Sequence, residues 1–229
     1  MTLLEAIEAR HSVRRYTDEP ICEEALQSLR EKIEEVNLLA DLHVQLVTDE
    51  PKAFSGLMAY GAFSGVRSYL VMAGKKSPDL DERIGYYGEQ LVLLAQTLGL
   101  NTCWAGASYK KIPGTYDLKD DKKIGCYIAL GYGVTQGHGH RVKAAADVSN
   151  AGAQTPEWFN KGVDAALLAP TAVNQQKFFI EYLGKKGDGI VPQVSAMPTF
   201  SMMGYAKMDL GIVKCHFELA AGIENFQWA

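Results

Sequence analysis

An α+β fold built around one buried central helix is what this sequence predicts, and three observations carry the prediction. Amphipathic helical stretches alternate with short strand-like runs along the chain. One stretch, YYGEQLVLLAQTLGL at residues 86–100, is apolar on nearly every side from Leu91 onward, as expected of a helix covered by its neighbours. The order helix, loop, strand at residues 23–49 recurs at 156–184, and the glycine-to-glycine helix at 88–99 recurs at 211–222. Each of those two helices is followed by a short segment carrying a tryptophan, Trp104 or Trp228. Repeated order of this kind predicts a degenerate internal duplication.

The elements follow in turn. Residues 2–9 read as a short helix with Leu3, Leu4 and Ile7 on one face. Between Glu23 and Val36 the spacing of Leu26, Leu29, Ile33 and Val36 draws a single apolar stripe. LHVQLVTD (42–49) alternates like a strand, and RSYLVMAG (67–74) is a continuous apolar run, read as a buried strand. The central helix closes on Gly99, a favoured residue just past a helix C-terminus. NTCWAG (101–106) and KIGCYIALGYG (123–133) are strand-like and rich in aromatics, and the turn-rich 133–156 reads as a crossover linker. PEWFNKGVDAALLA (156–169) is a helix with proline at its start, followed by a loop and the strand-like KFFIEYLG (177–184).

Composition narrows the function classes. The chain has 229 residues, 47% hydrophobic and 22% charged, with net charge −4. This is a globular balance of mixed sign, which predicts no nucleic-acid partner and no membrane-surface role. No apolar run approaches about 18 residues, the length of a bilayer span. The first ten residues contain Glu5 and lack the apolar core of a secretory signal. Four scattered cysteines form neither a disulfide framework nor a CxxC pair, so the expected setting is a reducing, cytoplasmic one.

Four segments carry candidate chemistry. In AIEARHSVRRY (6–16), an extended backbone after the first helix would put Arg10, Ser12 and Arg14 on one side. Two guanidiniums and a hydroxyl there could clamp a phosphate, or the cluster could be a solvated turn. In LLAPTAVNQQKFF (167–179), the helix stops before Pro170, leaving Thr171, Asn174, Gln175 and Gln176 in a short loop. Such neutral donors and acceptors suit a multiply hydrogen-bonding ring or polyol, and equally an ordinary turn. In GLNTCWAG (99–106), Ala105 and Gly106 would let backbone N–H groups approach a flat ligand, or simply pack under a sheet. HRVK (140–143) offers Arg141 and Lys143 as further cations. Weaker signals are set aside. GHGH (137–140) lacks a nearby acid or thiolate for a metal, Cys215 and His216 are helix neighbours that do not face each other, and no P-loop, dinucleotide fingerprint or Ser–His–acid set is visible.

Together these segments resemble the FMN-dependent nitroreductase family, in particular a tandem, pseudo-dimeric subgroup, over most of the chain. ARHSVRRYTDEPI is similar to that family's N-terminal signature, LLAPTAVNQQKFF to its Pro-Ser loop, LAQTLGLNTCWAG to its central helix and flavin-edge turn, and IALGYG with HRVK to its closing strand and basic tail. The resemblance implies a mixed, mainly antiparallel sheet flanked by helices around a buried central helix, duplicated within one chain. Residues 1–150 would form a complete half and 151–229 a shorter, degenerate one. The order departs from ordinary members, whose Pro-Ser loop precedes the first strand. Here that place reads EVNLLADLHVQLV, and the second half has DVSNAGAQTPEW in place of an Arg-x-Ser-x-Arg segment. Ordinary members are homodimers sharing two flavins across the interface, so the two halves here would retain the parts of one site.

What the resemblance implies for individual residues follows. Arg10, His11 and Ser12 would hold the FMN phosphate, with Arg141 and Lys143 adding charge. Arg14 would face the pyrimidine side of the flavin, where a cation stabilises charge gained on reduction. Trp104, Ala105 and Gly106 would meet the N5 edge, and Pro170, Thr171, Ala172, Asn174 and Gln176 the other side of the ring and ribityl chain. Phe63, Phe200 and Tyr205 would line the open face. NAD(P)H would be the co-substrate and an electron-poor small molecule, a nitroarene or quinone, the acceptor, with no side-chain nucleophile. The expected partner state is an intrachain pseudo-dimer, monomeric as a chain. Other readings are an FMN store or sensor with little turnover, an ene-reductase, dehalogenase-like or flavin-consuming enzyme on the same fold, and an interaction protein with a basic surface.

Overall fold

A reciprocal cap starts the first helix, α1 (Leu3–Ala9): the Thr2 hydroxyl accepts the Glu5 N–H while the Glu5 carboxylate accepts the Thr2 N–H. The computed structural model describes residues 1–55, 62–185 and 191–229. In α1 only Ala6 and Ile7 are buried. Leu3 and Leu4, expected beside Ile7, are largely exposed, because Leu3 sits at the lip of an open groove with Tyr86 and Ile223 rather than under another element.

The next helix, α2 (Glu23–Ala40), buries the expected stripe of Leu26, Leu29, Ile33 and Val36 and runs on to Ala40. β1 (Gln45–Val47) is shorter than the alternating run that signals it, while β2 (Ser68–Lys75) is buried along all but its last residue. α3 (Leu80–Thr97) begins earlier than expected, at Leu80, and ends into Gly99 with φ +79°. β3 (Asn101–Ala105) and β4 (Lys122–Gly131) follow. The linker contains one short helix, α4 (Ala145–Val148). Then come α5 (Glu157–Leu167), β5 (Phe178–Gly184), β6 (Gln193–Pro198), α6 (Ala206–Ala221) and β7 (Gln227–Trp228). β6 escapes the sequence reading because its alternation breaks at Met197 and Pro198, and β7 because two residues show no period.

Two sheets result. One is antiparallel in the order β1-β2-β4-β3; the other is β5-β6-β7, antiparallel between β5 and β6 and parallel between β6 and β7. α3 packs on the first sheet through Ile84, Leu91 and Val92 against Leu70, Met72 and Ile128. α6 packs on the second through Leu210, Val213 and Phe217 against Phe178, Ile180 and Val194. The far face of the first sheet carries an aromatic layer in which Tyr127 stacks between Tyr109 and Tyr69.

The layers meet where α3 crosses α6. A Cβ built on Gly85 would lie 2.0 Å from the Met208 carbonyl oxygen, and one on Gly211 2.0 Å from that of Glu82. No side chain fits at either point, so the helix backbones touch. Since Glu82 pairs with Gly211 and Gly85 with Met208, the helices run in opposite directions at the crossing. No described helix is long and apolar enough to cross a membrane.

Candidate functional site

β3 delivers Trp104 and Ala105 to one wall of a cleft of about 250 Å³, and Gly106 continues it beyond the strand. Ser12 and Arg14 border the same wall because residue 12 pairs with Thr102 at the strand edge. The facing wall is Pro170, Thr171 and Ala172, from the loop after α5. The start of α6 closes the end with Tyr205, Met208, Asp209 and Ile212, a helical stripe of one face. Residues far apart in sequence, before position 107 and after position 169, therefore share one cavity. Phe63 also lines it, whereas Phe200 does not and is 84% exposed.

The loop holding Pro170 is strained and heavily tied. Val173, Asn174 and Gln176 all have positive φ (47°, 55° and 46°), costly for non-glycine residues and most of all for β-branched valine. The Asp209 carboxylate accepts the Ala172 N–H at 2.9 Å and the Gln175 side-chain amide at 2.6 Å. Asn174 and Gln176, expected to face a ligand, instead donate their amides to the Arg141 carbonyl (2.7 and 2.9 Å). Gln176 also accepts the Lys143 N–H, and its carbonyl accepts the Lys143 ammonium at 2.6 Å. Two sequence candidates, the Pro170 loop and the HRVK segment, are thus brought together back to back. The polar side chains of the loop are consumed in that joint, so Asn174, Gln176, Arg141 and Lys143 do not line the cleft.

The basic segment also differs from its expected layout. Arg10 is only 3% exposed and is not among the lining residues, so positions 10, 12 and 14 do not present to one side. The reason is local: Arg10 caps α1, its N–H bonding back to Ala6, and its guanidinium lies over the buried Glu89 of α3, Nε to Oε1 3.8 Å. Burial holds the Arg10 pKa below its ordinary value while Glu89 opposes the shift, and its Nε has no hydrogen-bond partner among the described residues. His11 is half-buried, its pKa lowered by burial and by Arg10, and it too is outside the cleft.

Behind the Trp104 wall lies a buried polar cluster that sequence reading set aside. Glu89 and His216 are both fully buried. Glu89 accepts the Trp104 indole N–H at 2.9 Å and meets His216 Nε2 at 2.9 Å, while His216 Nδ1 faces the Ala165 carbonyl at 3.0 Å. A carbonyl can only accept, so Nδ1 carries a proton, and the Nε2–Oε1 contact holds one further proton on the imidazole or the carboxyl. Glu89, Trp104 and His216 are each hydrogen-bonded, which offsets the cost of burying their polar atoms. Glu89 was legible only as a polar residue in an apolar helix, and Asp209 lay outside the helix read at 211–222. Among the described residues no cluster of three or more His, Cys, Asp or Glu could hold a metal.

The two sheets, the helices packed on them and the mostly apolar cleft between them form an α+β fold of the nitroreductase type. The family described as "Putative TM nitroreductase" matches residues 2–221, and the chain belongs to that family. Among solved structures, it is similar to a "putative nitroreductase" of Thermotoga maritima, with TM-score 0.65 and 24% identity over 98% of this chain and 85% of that one. It is also similar to a "putative nitroreductase in complex with FMN" from Desulfovibrio desulfuricans, with TM-score 0.53 and 20% identity over 68% of this chain and 98% of that one. Comparison with curated proteins gives no match.

Proposed function

We propose that this chain is a flavin-dependent oxidoreductase that holds one FMN in the Trp104–Pro170 cleft and passes reducing equivalents from NAD(P)H to an electron-poor acceptor such as a nitroarene or quinone. The observation that carries this reading is the convergence of Ser12 and Arg14, the Trp104–Gly106 turn and the Pro170–Ala172 loop on one cavity in a chain of this family. The residues present fit the cofactor. The walls are largely apolar, suited to a ring system, and Arg14 supplies one cation at the border. A pocket for a drug-sized ligand spans about 300–1,000 Å³, so this smaller cleft suits the ring and leaves the ribityl phosphate at the rim.

When bound, the flavin supplies hydride chemistry. The protein's part is to hold and orient. Ser12 would hydrogen-bond at the phosphate or ribityl end, and Arg14 would stabilise negative charge at the ring edge. Pro170, Thr171 and Ala172 would cover one side of the ring, clamped by Asp209. Arg10, with an orphaned buried Nε, lies beside Glu89 behind the opposite, Trp104 wall. Arg141 and Lys143 would add positive potential from outside the cleft, Lys143 less so because burial and Lys177 lower its pKa. The lowered pKa of His11 favours a neutral ring. The Tyr205 phenol rests against Gly106, where an added Cβ would lie 2.6 Å from its hydroxyl, so it must turn aside for a ring to reach that backbone. That cover favours a second reading, an FMN binder with little turnover.

The same helix crossing supports a pseudo-dimer of residues 1–150 and 151–229. The sequence offset relating Gly88 to Gly211 and Gly99 to Gly222 also relates Gly85 to Met208, the pair in contact at the centre of the antiparallel crossing. A two-fold relation between halves would place its axis there. The positions matching the cleft stripe on α3 would then be Glu82, Gly85, Tyr86 and Glu89. Their side chains are engaged elsewhere: Lys214 bonds Glu82 at 2.5 Å and lies over Trp228, Tyr86 and Trp228 both donate to Glu218, and Glu89 meets His216. Tyr86 still borders the open groove beside Leu3. One site per chain follows, in a chain we take to be monomeric, cytoplasmic and free of nucleic-acid and membrane partners. Purified protein should be yellow or turn so with FMN, and saturate at one FMN per chain by absorbance titration. Anaerobic NADH or NADPH should bleach it, and repeated turnover with a nitroarene separates an enzyme from a store. A colourless protein that takes up no FMN would refute the reading, and two FMN per chain would refute the one-site arrangement.

A further inference from the structure

Resting on the flavin reading above, the fully buried Glu89 and His216 acquire a task at a cleft that neither lines. Trp104 faces the α3 side of its sheet, while Cys103 and Ala105 face the aromatic side. Consecutive residues of α3 hold its indole at two points. The six-membered ring rests on Gly88, where an added Cβ would lie 2.6 Å from Cη2. The indole N–H donates to Glu89 Oε2 at 2.9 Å. Glu89 is held in turn, its Oε1 2.9 Å from His216 Nε2 and 3.8 Å from Arg10 Nε.

The far end of the connection lies in α5. His216 Nδ1 donates to the Ala165 carbonyl at 3.0 Å, in the last helical turn, where carbonyls lack intrahelical partners. The same carbonyl accepts the Leu168 N–H at 3.0 Å, and the chain then turns into the Pro170–Ala172 wall. A run of hydrogen bonds therefore passes behind the cleft from the strand wall to the loop wall, through β3, α3, α6 and α5. Hydrogen bonds are directional, whereas apolar packing is not. In a space sealed from water, a link that breaks leaves its partners unpaired. An apolar pair of similar volume often fills such a space at no loss of stability, so what the polar pair adds is orientation.

We propose that Glu89 and His216 are positioning residues for the flavin cleft. The run from Ala165 through His216 and Glu89 to Trp104 fixes the tilt of the indole and its spacing from the Pro170 loop, so that the ring enters a preformed slot. Breaking an inner link frees Trp104, and FMN must then order it on binding.

The test is a double-mutant cycle on the FMN dissociation constant of the full chain, measured by absorbance titration. His216→Leu should weaken FMN binding about tenfold. Trp104→Phe removes the indole donor and with it the last link, so in that background His216→Leu should change the constant by less than about twofold. Glu89→Gln is the conservative rescue. Its oxygen still accepts the indole N–H and its amide donates to His216 Nε2, so affinity should stay within about twofold of wild type. Glu89→Leu should match His216→Leu. An equal loss from His216→Leu in both backgrounds overturns the proposal, because a role in stability alone acts without the indole. Glu89→Gln binding as weakly as Glu89→Leu overturns it too. Should His216→Leu fail to fold, His216→Asn replaces it, since its amide stands in for Nδ1 and breaks only the link to Glu89. The indole N–H resonance of Trp104, identified by its loss in Trp104→Phe, reads the run without any cofactor. It should move in His216→Asn, two links away, and an unmoved resonance overturns the proposal. A wild type that binds no FMN overturns the flavin reading itself, and this proposal with it, even where the resonance moves.

Discussion

Arg14 is exposed yet borders the cleft, so its charge acts across a partly solvated gap. With FMN bound, Arg14→Gln should lower the flavin two-electron potential, because the negative charge gained on reduction loses its nearest cation. The expected drop is on the order of 30 mV, equivalent to about 1.4 kcal/mol for a two-electron couple, read by dye-coupled redox titration. Asp209 acts differently. Its carboxyl is buried, and burial raises its pKa despite the opposing bonds from Ala172 and Gln175. The folded state then binds this proton more tightly than the unfolded chain does. This group alone raises stability as pH falls from its raised folded value towards the ordinary carboxylate value of about 3.9. In Asp209→Asn that slope should vanish from urea midpoints measured against pH. Asp209→Ala should cost about 1 kcal/mol by removing two half-buried hydrogen bonds. Ser12, Arg14, Trp104 and Pro170 were visible as motif residues. Asp209 was not, because only the Ala172 N–H and the Gln175 amide, distant in sequence, give it a role.

At the scale of elements, the sequence was most informative where a long period exists. The stripe of α2 and the all-round apolarity of α3 survive folding almost unchanged. Their boundaries were less legible: LDERIG looks polar, yet it forms the first turns of α3 because Ile84 and Gly85 are buried against Gly125 of β4 and the α6 backbone. Reading α6 only from residue 211 hid the Tyr205, Met208, Asp209, Ile212 stripe, and with it one wall of the cleft. The crossing of α3 and α6 offers the clearest element-level test. Gly85→Ala places a methyl group against backbone on the partner helix, where no rotamer change gives relief. Overpacking of this kind costs about 1–3 kcal/mol, and each kcal/mol is worth about 2–4 °C in a domain of this size. A melting temperature about 5 °C lower by circular dichroism is expected; an unchanged one would mean the helices part freely.

For the whole molecule, the two sheets and their cores were predictable in kind, since apolar helices must bury against strands, but their joining was not. That joining depends on Gly85, which fell outside the helix read at 86–100, and on Gly211, which read only as the start of the helix at 211–222. Neither shows its part until the partner backbone is seen beside it. It also brings the Arg141 carbonyl under Asn174 and Gln176, so that residues chosen by motif as ligand contacts serve as a brace.

Because Ser12 and Arg14 reach the cleft from one end of the polypeptide and Pro170–Ala172 from the other, its opposite walls cannot drift apart when the protein is scarce. A cavity assembled from separate subunits empties as concentration falls below their dissociation constant; this one is governed by the conformational free energy of a single chain, and its occupancy is set by ligand concentration and affinity.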